Sequence, residues 1–364
     1  MGVTTHQLGV LKDGRAVTCF TLENSSGQQA VVTDLGAAWL CMRTPDCAGR
    51  MADVLLGYDS VDMLLHNDGH LGAIVGRNAN RIGGGAFQLN GKSYQLAKNN
   101  GDNNLHSGPD YLEQRLYQTA EQPERPMESG DAASITFLLK SPDGDQGYPG
   151  TLEISVTYTL TEDGAFKISY RLTAGQEATL CNFTNHAYFN LAGHRAGSIL
   201  GHRLWINADA ITEGGADSVP RGNLLSVAGT PFDFRKAKPI GQDIGAPHPE
   251  LLFAGGYDHN FCLHLEKAED GQTRLCHAAA VTEPESGRRM DVYTDMPGIQ
   301  LYTGNFLNPK VQGKEGASYH PRDGFALETQ YYPNAINVPG WAQPVIEAEE
   351  TRRYETIYRF GVEA

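Results

Sequence analysis

Basic charge is scarce in this chain. Its 29 Lys and Arg residues stand against 43 Asp and Glu, a net charge of −14 with histidine neutral. A field of that sign repels phosphate backbones and anionic headgroups, so neither nucleic acid nor a membrane is an expected partner. Long apolar runs are missing too: no stretch approaches the roughly 18 residues of a bilayer-spanning helix. The six cysteines are scattered, with no C-x-x-C pair and no Cys/His spacing of a zinc site, which argues against a disulfide framework and a structural metal. The opening MGVTTHQLGVLKDG lacks a basic start, an apolar core and a cleavage site, and His6 stands where a myristoylation signal has Ser or Thr. Idle thiols and the absence of such a leader predict a cytoplasmic protein.

Helical periodicity is sparse. SVDMLLHND and PDYLEQRLYQ have room for a turn or two each, and GQDIGAPHPELLFAGG reads as a loop. Turn formers are abundant, with 42 Gly and 18 Pro. In TLEISVTYTL, Leu152, Ile154, Val156, Tyr158 and Leu160 alternate with Thr, Glu and Ser, the period of a strand with one buried face. After TEDGA the pattern resumes at Phe166, Ile168, Tyr170 and Leu172, predicting a hairpin, with Ile135, Phe137 and Leu139 on a neighbouring strand. Similar runs recur to the terminal YETIYRFGV, never in regular alternation with helices. The expected fold is all-β, a large antiparallel β-sandwich, and no linker or repeat divides residues 1–364 into more than one domain.

Several local patterns carry no chemistry on this reading. Gly91-Lys92-Ser93 lacks the upstream glycine of a phosphate loop, Ala86 standing there, and is expected to be a hairpin turn. His66 and His70 have the spacing of a metalloprotease helix, but Asn67 replaces the glutamate and Asp68-Gly69 breaks the helix, so a solvated loop is expected. Asp143–Gly147 lacks the remaining oxygens of a calcium loop and reads as a turn.

Five other segments concentrate polar side chains where strand composition predicts apolar ones: NANRIGGGAF, NNLHSG, NFTNHAYFNLAG, GYDHNF and FALETQYYPNAIN. Carboxylates, imidazoles, an arginine, amides and aromatic rings without a metal-ligand pattern suit a neutral polyol, whose hydroxyls take directional hydrogen bonds and whose C–H faces lie on rings. Glu328, within a largely apolar run, has the setting of a carboxyl with a raised pKa, useful to a base near neutrality.

In order along the chain, Asn80-Arg81, Asn104–Gly108, TNHAYFNL at Thr184–Leu191, Gly256–Phe261, Gln300–Phe306 and Leu327–Gln330 closely resemble the aldose 1-epimerase (galactose mutarotase) family over nearly the whole length. The resemblance implies Glu328 as general base and His186 as general acid. Arg81, His106, Asp258 and Gln300 would hold sugar hydroxyls, with Asn80 and Tyr188 beside them, and Arg81, His106 and Asp258 at the end distant from C1. It implies no cofactor and no metal, a small-molecule aldose as substrate, and a monomer or homodimer as the working form. Ser107 and Ala187 depart from the Gly and Thr the family often has there, with a bearing on sugar preference. For the implied chemistry His186 should be an imidazolium near neutrality, helped by a carboxylate such as Asp258 or Glu328. A glycoside hydrolase or lyase using Glu328 and Asp258, a hexose-6-phosphate epimerase, and a non-catalytic sugar-binding module are the competing readings; the phosphate reading lacks a basic cluster beyond Arg81.

Overall fold

The alternating segment TLEISVTYTL forms the strand Leu152–Thr161, paired antiparallel on one side with Ala165–Ala174 and on the other with Asp131–Ser141. The computed structural model describes residues 2–121, 127–266 and 273–363. The turn between the first two strands needs Gly164: its φ is 83°, and a Cβ there would stand 2.7 Å from the Phe360 carbonyl oxygen. Leu152, Ile154, Val156, Tyr158 and Leu160 are buried as their period requires. The opposite face is covered as well, because its hydroxyls pair across the ladder, Thr157 with Thr136 at 2.8 Å and Thr159 with Ser134 at 2.9 Å.

This hairpin lies in a nine-stranded antiparallel sheet. The C-terminal strand Thr351–Val362 sits at its middle, between Ala165–Ala174 and Arg288–Thr294. A seven-stranded sheet faces it, ordered Leu224–Ser226, Ala208–Thr212, Asp258–Leu263, Gly298–Tyr302, Phe325–Gln330, Tyr188–Phe189 and Leu55–Leu56. Ile299, Leu301, Phe325 and Leu327 share a core cluster with Val292, Tyr354, Tyr358 and Phe360 of the nine-stranded sheet, and the Tyr358 hydroxyl donates to the Leu327 carbonyl at 2.9 Å. Five N-terminal strands, from Val3–Val10 to Met51–Asp53, make a third sheet whose Trp39 packs on Phe166 at 4.4 Å and Tyr358 at 5.6 Å between ring centres. The expected large antiparallel β-sandwich is what the chain forms.

Asn90-Gly91 closes the hairpin of Ala86–Leu89 with Lys92–Gln95; φ is 50° and 77°, so Gly-Lys-Ser is a turn as expected. Asp143–Gly147 is a turn as well. The loop reading of residues 241–256 needs correction, since Pro249–Ala254 is a helix capped by His248 and by Gly255 in the left-handed conformation. At six residues it is too short to show periodicity. Among the described residues no helix is long and apolar enough to cross a membrane.

One buried cation joins the sandwich to the segment bearing Asn80-Arg81. Arg77, fully buried, donates from Nε to Ser141 Oγ, from Nη1 to the Pro149 and Gly150 carbonyls and Thr179 Oγ1, and from Nη2 to the Ser141 and Pro142 carbonyls. Its own carbonyl accepts from the Asn182 amide at 2.8 Å. Replacing Arg77 by Met fills similar space but strands these acceptors, at about 1–3 kcal/mol for each that water does not reach. The expected outcome is a loss of roughly 3–5 kcal/mol in chemical denaturation; a midpoint equal to that of the wild type would contradict it.

Candidate active site

Strand alternation builds the floor. Asn260, Gln300 and Glu328 are direct partners across three adjacent strands, as are Asp258, Tyr302 and Ala326 one step along. Because neighbours across a ladder share a face, the parity that sends Ile299, Leu301, Phe325 and Leu327 into the core turns Asp258, Tyr302 and Glu328 to the other side. There they line a cleft of about 290 Å³. Tyr188, beside Ala326 on the next strand, extends the floor and stacks on His186 at 5.0 Å, its hydroxyl donating to the Gly69 carbonyl.

His186 lies between the strands Thr184–Asn185 and Tyr188–Phe189 and is held by its backbone, its amide donating to the Ala73 carbonyl at 2.9 Å and its carbonyl accepting from Gly72 at 3.0 Å. Only glycine fits at position 72, where φ is 74° and a Cβ would come 2.2 Å from the Trp39 carbonyl oxygen. On the facing wall Asn80 and His106 both have left-handed backbones, φ 60° and 53°, a strained geometry in non-glycine residues. They are clasped together: the His106 amide donates to the Asn80 carbonyl, and the Asn80 amide donates to His106 Nδ1, each at 3.1 Å. Since Nδ1 is an acceptor, a neutral His106 carries its proton on Nε2.

The Nε2 of His186 lies 3.5 Å from Glu328 Oε1, and both side chains are buried. Among the described residues His186 Nδ1 and Glu328 Oε2 find no hydrogen-bond partner. Burial, with the neighbouring His70 charge, pushes the His186 pKa down to about 3. Burial also drives Glu328 well above the usual carboxylate range, reinforced by Asp258 and opposed by Arg81. Both shifts favour the neutral forms, so a proton shared by the pair is held by Glu328 rather than by His186. Desolvation thus works against the imidazolium that the implied chemistry needs. His106 is likewise driven well below 6.5, by burial first and then by His70, His186 and Arg81.

Ligand atoms of His106, His186 and Glu328 lie within 4.8 Å of one another, close enough to raise the question of a metal. The donors do not suit one. A ligating imidazole offers one bare nitrogen and donates its other N–H to an acceptor, whereas His106 uses Nδ1 as the acceptor and presents Nε2–H to the cleft.

The aldose 1-epimerase family model matches residues 18–359. The chain belongs to the aldose 1-epimerase family. A galactose mutarotase from Sus scrofa is 39% identical over 363 residues, covering 100% of this chain and 99% of the relative. An aldose 1-epimerase from Escherichia coli is 36% identical over 357 residues, covering 96% and 97%. The crystal structure of a galactose 1-epimerase from Lactobacillus acidophilus superposes with a TM-score of 0.84 at 25% identity, covering 100% of this chain and 99% of that one.

Within this family member, Asn80, Arg81, His106, His186, Tyr188, Asp258 and Glu328 converge on one cleft, drawn from segments up to 248 residues apart. The Arg81 Nε donates to Asn100 Oδ1 at 3.0 Å, and Nη1 stands 3.9 Å from Asp258. Gln300 is placed differently. It is absent from the cleft wall and donates from Nε2 to Asp258 Oδ1 at 2.6 Å, so it fixes that carboxylate from behind. Ser107 and Ala187 do not reach the cleft either. Ser107 is bonded to Asn78 and Tyr148, and the Ala187 amide to Asn185 Oδ1.

The sequence reading missed His70. Only His66 of that pair lies in an exposed loop; His70 is 9% exposed, lines the cleft, and bonds through Nδ1 to both oxygens of Glu113 at 2.9 Å. The polar context NDGH looks like a solvated turn, and the partner that changes its meaning lies 43 residues away. No local signal joins the two.

Proposed function

We propose that the cleft binds the pyranose form of a free aldose and interconverts its anomers, with Glu328 as base and His186 as acid. The facing of these two groups across 3.5 Å at the floor of a cleft lined by hydroxyl-binding side chains carries this reading. Glu328 as carboxylate takes the C1 hydroxyl proton while His186 donates to the ring oxygen. The bond from C1 to that oxygen breaks, its electron pair goes to the ring oxygen, and C1 becomes an aldehyde. Rotation about C1–C2 and reclosure with both roles reversed give the other anomer. Arg81, His106 and Asp258 grip the distal hydroxyls and leave C1 free to turn. Among the described residues Arg81 is the one Lys or Arg on the cleft wall, beside acidic Asp68, Asp258 and Glu328, which favours a neutral sugar over a phosphosugar.

The empty-cleft state, Glu328 protonated and His186 neutral, is the state that ring opening leaves behind. The proton passes to His186 before each opening, and opening returns the pair to the neutral form that burial favours.

The pair works with one proton between its members. It fails when His186 takes a second, near its depressed pKa of about 3, or when Glu328 loses its own, above the usual carboxylate range. The turnover number is thus expected to hold as the pH falls from neutrality to about 5, well above the depressed His186 pKa of about 3. A bell centred on an ordinary histidine pKa would contradict the shared proton. Polarimetry tests the activity: with pure α-D-galactose or α-D-glucose the relaxation rate should rise in proportion to added protein, with an unchanged final rotation and no added cofactor. A rate equal to the spontaneous one would overturn the reading.

A further inference from the structure

The reaction described above uses Glu328 and His186, yet the same wall carries a second buried acid and imidazole. Glu113, on the single 3-10 turn Leu112–Gln114, is buried and meets His70 Nδ1 with both oxygens at 2.9 Å. The ring of His70 then packs against both other cleft histidines, 4.9 Å from His106 and 5.9 Å from His186 between centres, with Tyr111 at 5.0 Å. Its position is fixed at both ends. Asn67 closes the turn by accepting the Leu71 amide at 2.8 Å and donating to the Leu71 carbonyl at 3.1 Å. With Nδ1 taken by Glu113 and no hydrogen bond at Nε2 from the described residues, the Nε2 edge is what His70 offers to a ligand in the cleft.

Resting on the proposed mutarotase reading, we propose that His70 is a further catalytic residue, a charged donor held by Glu113 whose Nε2–H meets an oxygen of the bound aldose beside the Glu328–His186 pair. It keeps its proton throughout. The negative charge that develops on oxygen as the hemiacetal opens or closes is met by a fixed cation in a water-poor cleft, where such a donor acts most strongly. Glu113 is the positioning residue: it aims the ring and keeps it charged. Every titratable group facing His70 fits this division. Glu113 and, on its own loop, Asp68 favour its charge, Tyr111 is neutral, and His106 and His186 are themselves driven neutral. Burial works against a charged His70, and the Glu113 carboxylate outweighs it, raising the pKa above 6.5. Three imidazoles in mutual contact thus hold one charge, which is the arrangement that spares His186 to exchange protons.

Glu113→Gln keeps the shape and a hydrogen bond but removes the charge. With burial then opposed by Asp68 alone, His70 should be neutral at pH 7.5. The turnover number is expected to fall there about 100-fold, the size seen when one donor to a developing oxyanion is lost, with KM changed much less. It should recover at least about tenfold as the pH is lowered toward about 5.5, because solution protons recharge His70. The wild type should change far less over the same range, because Glu113 already favours the charge on His70. A structural defect would lower the rate equally at every pH. Ring nitrogen NMR of the wild type adds a measurement that needs no variant: His70 is expected to be charged at pH 7 while His106 and His186 are neutral. An inert wild type overturns both this inference and the mutarotase reading. An active wild type with a neutral His70, or with a Glu113→Gln profile of the wild-type shape, overturns this inference alone.

Discussion

Glu328→Gln should lower the turnover number for anomer interconversion by about three orders of magnitude, within the usual range for loss of a positioned base, while KM changes by no more than a few-fold. The direction follows from where Glu328 sits. Its carboxyl lies at the cleft floor with Oε2 unpartnered and Oε1 facing His186, and the distal sugar contacts come from other strands and loops. An amide fills the same space and accepts no proton. The variant should also be as stable as the wild type, an outcome uncommon for changes at a buried acid. Burial already keeps Glu328 in its neutral form in the empty cleft, so the amide removes no buried charge and strands no ion-pair partner. Turnover within tenfold of the wild type would exclude Glu328 as the base. Loss of folding would contradict the protonation state assigned to it.

The second large effect is expected at His186. His186→Asn removes the donor to the ring oxygen and should reduce turnover by about 100-fold or more. The informative experiment is the pair of changes made together. If Glu328 and His186 share one proton, either loss disables the same exchange. The double variant should then be within a few-fold of the poorer single variant, and multiplied penalties would mean that the two act independently. The backbone of His186 is tied to Gly72 and Ala73, and its side chain donates to no protein group at Nδ1, so the substitution removes chemistry more than scaffolding. Tyr188 would lose the ring it stacks on, which predicts a small rise in KM.

Much of the scaffold was legible because period-two burial is a local property. Leu152–Leu160 and Phe166–Leu172 announce their strands and their hairpin because their partners follow directly in the chain across one short turn. The placement of Thr351–Val362 between Ala165–Ala174 and Arg288–Thr294 was not legible, since strand order depends on contacts across nearly 200 residues. The short helix Pro249–Ala254 escaped notice because one and a half turns leave no period to detect.

The site divides along the same line. Glu328 stands out as a carboxylate among apolar neighbours, and strand parity alone turns it out of the core. Gln300 sits one strand over in direct register with it, yet its amide goes to Asp258 rather than to the cleft, a choice made by side-chain geometry. His70 was misread because its partner Glu113 is remote. The protonation of His186 was not legible for a related reason: a sequence shows the imidazole but neither its remote carboxylate neighbour nor the depth of burial that pushes its pKa down.

The most direct test of the shared-proton site is a crystal structure of the Glu328→Gln variant, slow enough to hold its substrate, soaked with D-galactose. The account predicts the pyranose in the cleft with the C1 hydroxyl within hydrogen-bond distance of residue 328, the ring oxygen within reach of His186, and the far hydroxyls on Arg81, His106 and Asp258. A hexose bound in that cleft with C1 turned away from both residue 328 and His186, or bound elsewhere on the molecule, would contradict it.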